Sequence, residues 1–337
     1  MTARTVLLTG ASGFIGSAVR SLLRAHPEHG IRVRVLSRSP ATGVPSASGA
    51  PSVTGVPSAS GGEDRVHADL ADPRTLHGAA ADADVLVHLA SLVSGDEAAC
   101  TAVNVHGTRA LMREAARAGV GRIVHLSTSA VYGRGPHRGI GVGEVAAAPV
   151  SPASRTRLAG EHAALDAGAL VLRPHLVVGA GDRWVVPCLA ELTRRVPGRW
   201  AGGDALLGMV AVTDLARLIV ALACSADRLP GGVLHAGHPE PVPARALLDT
   251  LTEHAVLAPV PRRDWSWQQC LDQLARVPGA AGARQLELFA VDHWYRSEEV
   301  WRLAGTDPGP GPLARLAEAA PWYRSHLAGG PGPGPAG

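Results

Sequence analysis

Three glycines spaced three apart, Gly10, Gly13 and Gly16, follow a short apolar run at residues 5–8. After the first of them, apolar residues recur at helical spacing: Phe14, Ile15, Ala18, Val19, Leu22 and Leu23. A strand that turns into a helix over such glycines can cradle a pyrophosphate. One glycine permits the tight turn, one lets backbone approach the phosphates, one lets helix and strand pack closely, and the helix N-terminus stabilises the negative charge. Ser12 belongs to the same turn. A second apolar run, residues 31–36, ends in Ser37-Arg38, where NAD-selective proteins place an acid against the ribose hydroxyls. Arg38 instead offers a guanidinium that can grip a 2′-phosphate through two hydrogen bonds, with Ser37 beside it. The pattern predicts a dinucleotide site, with NADP(H) as the cofactor.

Such a turn needs a sheet to hold it. Further β-like runs fall at residues 66–68, 85–89, 123–126 and 170–172, and a helical pattern at 108–118 lies among them. Alternation of this kind predicts an α/β fold, a Rossmann-like doubly wound parallel sheet with a smaller C-terminal substrate lobe. We expect residues 1–180 to form the nucleotide domain, with 210–234 returning to it, and residues 181–209 and 235–328 to form the lobe. All seven tryptophans, among them Trp184 and Trp294, lie after Arg173 and suit packing or a planar apolar ligand. The octapeptide TGVPSASG occurs at 42–49 and again at 54–61. Pro, Gly and Ser of this kind cannot bury a core, so residues 40–62 are expected to form a flexible insert and 329–337 a disordered tail.

Composition narrows the function classes. The chain has 337 residues, 46% of them hydrophobic, and no run approaches the apolar length of a membrane span, so a cytoplasmic protein that neither crosses nor binds a membrane is expected. The formal charge is only +3 and the arginines are scattered, which argues against a nucleic-acid partner. Cys100, Cys188, Cys224 and Cys270 form no CxxC pair, and His26/His29 and His235/His238 have no carboxylate or cysteine partners, so no metal is expected. All 32 residues counted as Lys+Arg are arginine.

The sequence TGASGFIG at residues 9–16 resembles the start of an extended short-chain dehydrogenase/reductase, and the resemblance covers most of the first 220 residues. Asp69-Leu70 matches the acid that contacts the adenine, and His88-Leu89-Ala90, with Ser91 next, matches the strand end beneath the cofactor. Asn104 matches a structural Asn, and Ser127-Thr128-Ser129-Ala130-Val131-Tyr132-Gly133 matches the strand bearing the catalytic hydroxyl, which falls on Thr128. Residues 172–182, with Pro174 and Leu176, match the segment whose backbone holds the carboxamide, and 210–219 match a late family helix. The resemblance implies nucleotide binding by Gly10, Ser12, Gly13, Phe14, Ile15, Gly16, Ser37, Arg38, Asp69, Leu70, Leu89, Ala90, Ser91, Ser127, Arg157, Pro174 and Leu176.

One element of the family pattern is missing. The family's Tyr and Lys, the proton donor and its tuner, fall on Ala153 and Arg157. Hydride addition to a carbonyl leaves an alkoxide that needs a proton, and Ala153 supplies none, while arginine stays protonated and gives its proton poorly. Thr128 can contact the carbonyl oxygen; the acid is then water, His162 or His175, or a phenol of the substrate itself. In these respects the chain resembles atypical, tyrosine-less extended short-chain ketoreductases of actinobacterial polyketide biosynthesis, of the simocyclinone angucyclinone type. That resemblance implies NADPH-dependent reduction of an aromatic polyketide ketone in antibiotic biosynthesis, with residues near Trp184 or Trp294 covering the site. The rival reading is a non-catalytic protein of the same fold that senses NADP(H) or binds a partner. The residues leave the oligomeric state open.

Overall fold

The computed structural model describes residues 4–25, 30–38 and 64–329. The expected insert at 40–62 and all but Gly329 of the expected tail lie outside the described residues.

The strand and helix runs alternate from the start: β1 (Arg4–Thr9), α1 (Phe14–Ala25), β2 (Ile31–Ser37), β3 (Asp64–His67), β4 (Val85–His88), α2 (Glu97–Thr101), α3 (Thr108–Arg117), β5 (Arg122–Leu126), β6 (His137–Ile140), α4 (Pro152–Asp166) and β7 (Leu170–Arg173). Then come β8 (Leu176–Val178), α5 (Val185–Arg195), β9 (Arg199–Trp200), β10 (Leu206–Leu207), β11 (Met209–Ala211), α6 (Val212–Cys224) and β12 (Gly232–His235). The chain closes with β13 (Val242–Pro243), α7 (Ala244–Glu253), β14 (Asp264–Trp265), α8 (Trp267–Arg276), α9 (Ala283–Ala290), β15 (His293–Tyr295), α10 (Glu298–Ala304) and α11 (Pro312–Ala328).

Seven strands form one sheet in the order β12-β7-β5-β4-β1-β2-β3, every pair parallel. The order reverses between β1 and β4, and ligands of doubly wound sheets bind in the crevice outside such a switch point. The glycine turn leaves β1 at that point. Val85–His88 is buried at every residue, as expected for a strand covered by helices on both faces. One face of the sheet packs Val19 and Leu23 of α1 against Leu215, Leu218 and Ile219 of α6; the other packs Leu111 and Ala115 of α3 and Ala164 of α4.

A second sheet, β13-β10-β15-β6, belongs to the lobe, whose core gathers Leu189 and Leu192 of α5, Leu247 and Leu251 of α7, and Phe289 of α9. Two boundaries differ from the sequence reading. β6, placed in the nucleotide domain, pairs in parallel with β15 of the lobe, because His137–Ile140 follows a turn that carries it away from β5. Conversely α10, placed in the lobe, buries Val300 and Trp301 against the α6 side of the large sheet, where the indole Nε1 donates to Gly237 O at 2.7 Å. Both changes come from tertiary pairing, which local periodicity does not encode.

Candidate active site

Backbone geometry first tests whether a dinucleotide fits the glycine turn. Gly10 has φ +72°, and a side chain there would stand 2.7 Å from Ala90 N. A Cβ on Gly16 would lie 2.0 Å from Gly10 O, so helix and turn are in contact that only glycine permits. Ser12 and Gly13 are exposed, Phe14 and Ile15 half-buried, and the first amides of α1 have no intrahelical acceptor and are available to an anion. The cradle suits a pyrophosphate.

The floor of the crevice is fixed by β1 and β4. Thr9 Oγ1 accepts from Leu89 N at 3.2 Å and Ala90 N at 3.1 Å, and His88 bridges Thr9 Oγ1 (2.7 Å) and Thr108 Oγ1 (3.0 Å). Burial lowers the His88 pKa to about 4, helped by the Arg157 charge, so this imidazole is a neutral strut. Ser91 is half-buried in the loop that follows, and Asn104 holds Leu92 in place by accepting from its N–H and donating to its carbonyl, both at 2.8 Å. At the far edge, Arg38 is exposed at the end of β2, with Ser37 before it. Asp69 is half-buried after β3, its carboxylate accepting from Ala71 N, and Leu70 is buried beside Gly107.

The centre of the candidate site is the end of β5. Thr128 caps a short 3-10 turn, Ser129–Tyr132, its Oγ1 accepting from Ala130 N at 3.1 Å, which leaves the hydroxyl proton free to donate. Ser127 turns inward and its hydroxyl donates to the fully buried Glu161. Helix α4 approaches from the side, started by a reciprocal Ser151–Ser154 cap with Pro152 in its first turn. Arg157 on this helix donates from Nη2 to Ser127 O at 2.6 Å, while its buried Nε finds no acceptor. Desolvation lowers its pKa to about 10, opposed by the Glu161 charge, so the guanidinium is a cation at neutral pH. Ala153 lies one turn before Arg157 on the same helix face and carries only a methyl group. Pro174 and Leu176 are buried on the following segment; Leu176 N is taken by Gly208 O at 3.2 Å.

The sequence offered two histidines as acids, and neither lies open beside Thr128. His162 is exposed on α4. His175 binds Ser129 Oγ through Nδ1 at 2.8 Å, stacks on His293 with centroids 5.6 Å apart, and is held neutral by burial. Sequence reasoning also missed a buried chain of polar groups behind the site. Glu161 accepts from Arg173, Arg173 Nη1 donates to the Tyr132 phenol at 2.9 Å, and that phenol meets His235 Nε2 at 2.7 Å. Its only advance signal is the set of lone charged or polar residues inside apolar strands. Among the described residues no group of three or more His, Cys, Asp or Glu has the arrangement of a metal site, and no helix is long and apolar enough to cross a membrane.

A doubly wound sheet with a pyrophosphate cradle at its switch point defines a dinucleotide-binding α/β protein. The chain belongs to the NAD dependent epimerase/dehydratase family, whose model matches residues 6–237, and the extended short-chain dehydrogenase/reductases are its class. It is 29% identical over 331 residues to a 2-alkyl-3-oxoalkanoate reductase of Stenotrophomonas maltophilia, covering 90% of this chain and 94% of the relative. It is 31% identical to 4-hydroxy-2-methyl-3-oxo-4-farnesyl-3,4-dihydroquinoline-1-oxide ketoreductase of Stigmatella aurantiaca, covering 73% and 72%. In fold it matches a short-chain dehydrogenase/reductase superfamily protein of Agrobacterium tumefaciens with bound NAD, at TM-score 0.70 and 21% identity over 97% of this chain and 99% of that one. The chain is thus an oxidoreductase of this family with ketoreductases among its relatives, and a nicotinamide dinucleotide fits as its cofactor.

Proposed function

We propose that this protein is an NADPH-dependent ketoreductase that reduces a ketone of a phenolic, angucyclinone-type aromatic polyketide to a secondary alcohol in antibiotic biosynthesis. The observation that carries this reading is Ala153: one helical turn before Arg157 on α4, where the family resemblance expects a tyrosine, stands a methyl group with no proton to give. The bound cofactor supplies hydride. Arg38, exposed at the end of β2, offers its guanidinium to a 2′-phosphate, which favours NADPH over NADH. Thr128 donates its hydroxyl proton as a hydrogen bond to the ketone oxygen and orients it. Arg157 stays charged and supports the negative charge that develops there, but does not release a proton.

No tyrosine is free to replace the missing one. Tyr132 is held between Arg173 and His235; Tyr323 accepts from Gly179 N and donates to Asp182; Tyr295 is buried, which raises its pKa. A phenol adjacent to the reacting ketone can instead pass its own proton to the nascent alkoxide. Positioning then supplies most of the acceleration, since well-oriented reactants gain about 7–11 kcal/mol. The space that a tyrosine ring would fill is left for a flat polycycle. The two relatives named above act, by their names, on ketones with alkyl or farnesyl groups, which supports a large apolar substrate.

The test is NADPH consumption with phenolic polycyclic ketones and their methyl ethers. Free phenols should be reduced, and methylation should lower turnover by about 100-fold, the scale of a lost general acid. Undiminished reduction of the ethers removes the substrate phenol as donor. Tight NADPH binding with no turnover on any ketone points instead to the non-catalytic sensor.

A further inference from the structure

The lobe contains a cavity of about 570 Å³ on the face of α5 opposite the one that carries Val186, Leu189 and Leu192 into the core. Neither the glycine turn nor Thr128, Ala153 or Arg157 lines it. Its walls are largely apolar, built from Trp184, Pro187, Leu257, Val260, Pro261 and Leu327. Volume and lining match the range in which small-molecule sites fall.

Two sides of the cavity, α5 and α11, are tied together by one carboxylate. The Asp182 carboxylate accepts from the N–H groups of Trp184, Val185 and Val186, which anchors the start of α5, and from the Tyr323 hydroxyl, which anchors the end of α11. The α5 and α11 sides are therefore held in place without a ligand, which lowers the ordering cost of binding.

Charge at the cavity is one-sided. Arg183 and Arg194 are exposed on its lining. Glu191 is the one acid among the lining residues, and its Oε1 already accepts from Arg195 and from Ala281 N at 3.1 and 2.9 Å. The remaining field attracts an anion. Cys188 also faces the cavity, but burial pushes its thiol up to about 12, so it offers an apolar surface and not a nucleophile.

We infer that this cavity is a second, non-catalytic ligand site that takes a flat apolar molecule carrying an anionic group, the apolar body between Trp184 and the 256–261 segment and the anion toward Arg183 and Arg194. The site is independent of the reaction proposed above, since it lies off the catalytic crevice.

The probe is 8-anilinonaphthalene-1-sulfonate, added to the full chain saturated with NADPH so that the dinucleotide site is filled. Its fluorescence should report one saturable site. Ala190→Trp, which fills the cavity, and Arg194→Glu, which reverses its rim charge, should each weaken the probe by about tenfold, about 1.4 kcal/mol, with NADPH affinity unchanged. Equal binding by wild type and Arg194→Glu overturns the charge assignment and with it the site, even where Ala190→Trp fails to fold. Displacement of the probe by a polycyclic ketone places it in the catalytic crevice and also overturns the inference. Failure of ketone turnover bears only on the proposed function, because the readout here is binding.

Discussion

The Arg173 guanidinium donates to the Tyr132 phenol at 2.9 Å, and the same oxygen lies 2.7 Å from His235 Nε2. Arg173 can only donate, so the phenol accepts from it and directs its own proton to the imidazole, which burial holds neutral with a pKa of about 4. The phenol nearest in sequence to Thr128 is therefore a structural link, not an acid. Tyr132→Phe should cost about 1–3 kcal/mol of stability, because Arg173 loses an acceptor inside the core. Urea unfolding measures that loss. Turnover by the folded variant should stay close to wild type with the same pH profile, and a collapse of turnover with folding intact would identify Tyr132 as the donor after all.

Arg38 makes the cofactor preference testable in isolation. A guanidinium–phosphate pair contributes about 1.5–3 kcal/mol, so Arg38→Asp should weaken NADPH by roughly 10- to 100-fold. NADH, which lacks the 2′-phosphate, should be bound as well as before or better, since the new acid can meet its ribose hydroxyls. Titration of both cofactors decides the point. Parallel losses for the two would remove Arg38 from the phosphate site.

The part of this architecture that was legible in the sequence is the part governed by local spacing. Gly10 and Gly16 mark positions in the turn where a side chain would meet backbone, and the β1–α1 boundary falls there. Ala153 and Arg157 are four apart, so their shared helix face follows from periodicity once the helix is accepted. What was not legible depends on partners far along the chain. The bond from Arg173 to Glu161 and on to Ser127 joins three elements, and the pairing of β6 with β15 joins residues more than 150 positions apart. His175 illustrates the limit: its position beside the cofactor segment was readable, but its capture by Ser129 and His293 was not.

Buried neutral histidines give the fold a defined acid sensitivity. His88 has a folded pKa of about 4 against about 6.5 when exposed, so the unfolded chain binds the extra proton. Its contribution is complete above pH about 6.5 and is lost as the pH falls toward 4, by about 3 kcal/mol over that window. His235 is shifted in the same direction to about the same value. Unfolding free energy should therefore fall steeply between pH 6.5 and 4. His88→Gln, which keeps a polar group between Thr9 and Thr108, should lower stability at pH 7 and flatten the slope by close to one proton. An unchanged slope would mean that His88 is already protonated in the folded protein.

Restoring a ring at position 153 tests the central substitution directly. The side chain of Ala153 shares a helix face with Arg157, whose guanidinium reaches the Ser127 carbonyl, so a tyrosine at 153 extends toward Thr128 and into the space proposed for the substrate. Two effects then oppose one another. The phenol provides a proton donor that simple ketones lack, and the same ring takes the volume that a polycycle needs. Ala153→Tyr should raise kcat/KM for small ketones without a neighbouring phenol, by about tenfold or more, while lowering it for phenolic polycycles by about 100-fold through KM. Adding Arg157→Lys should enhance the first effect, since a smaller cation frees space near the new hydroxyl. Steady-state kinetics on one small and one polycyclic ketone measure both. If the polycycle is reduced by Ala153→Tyr as fast as by wild type, position 153 does not face the substrate, and the missing acid has no bearing on which ketone is accepted.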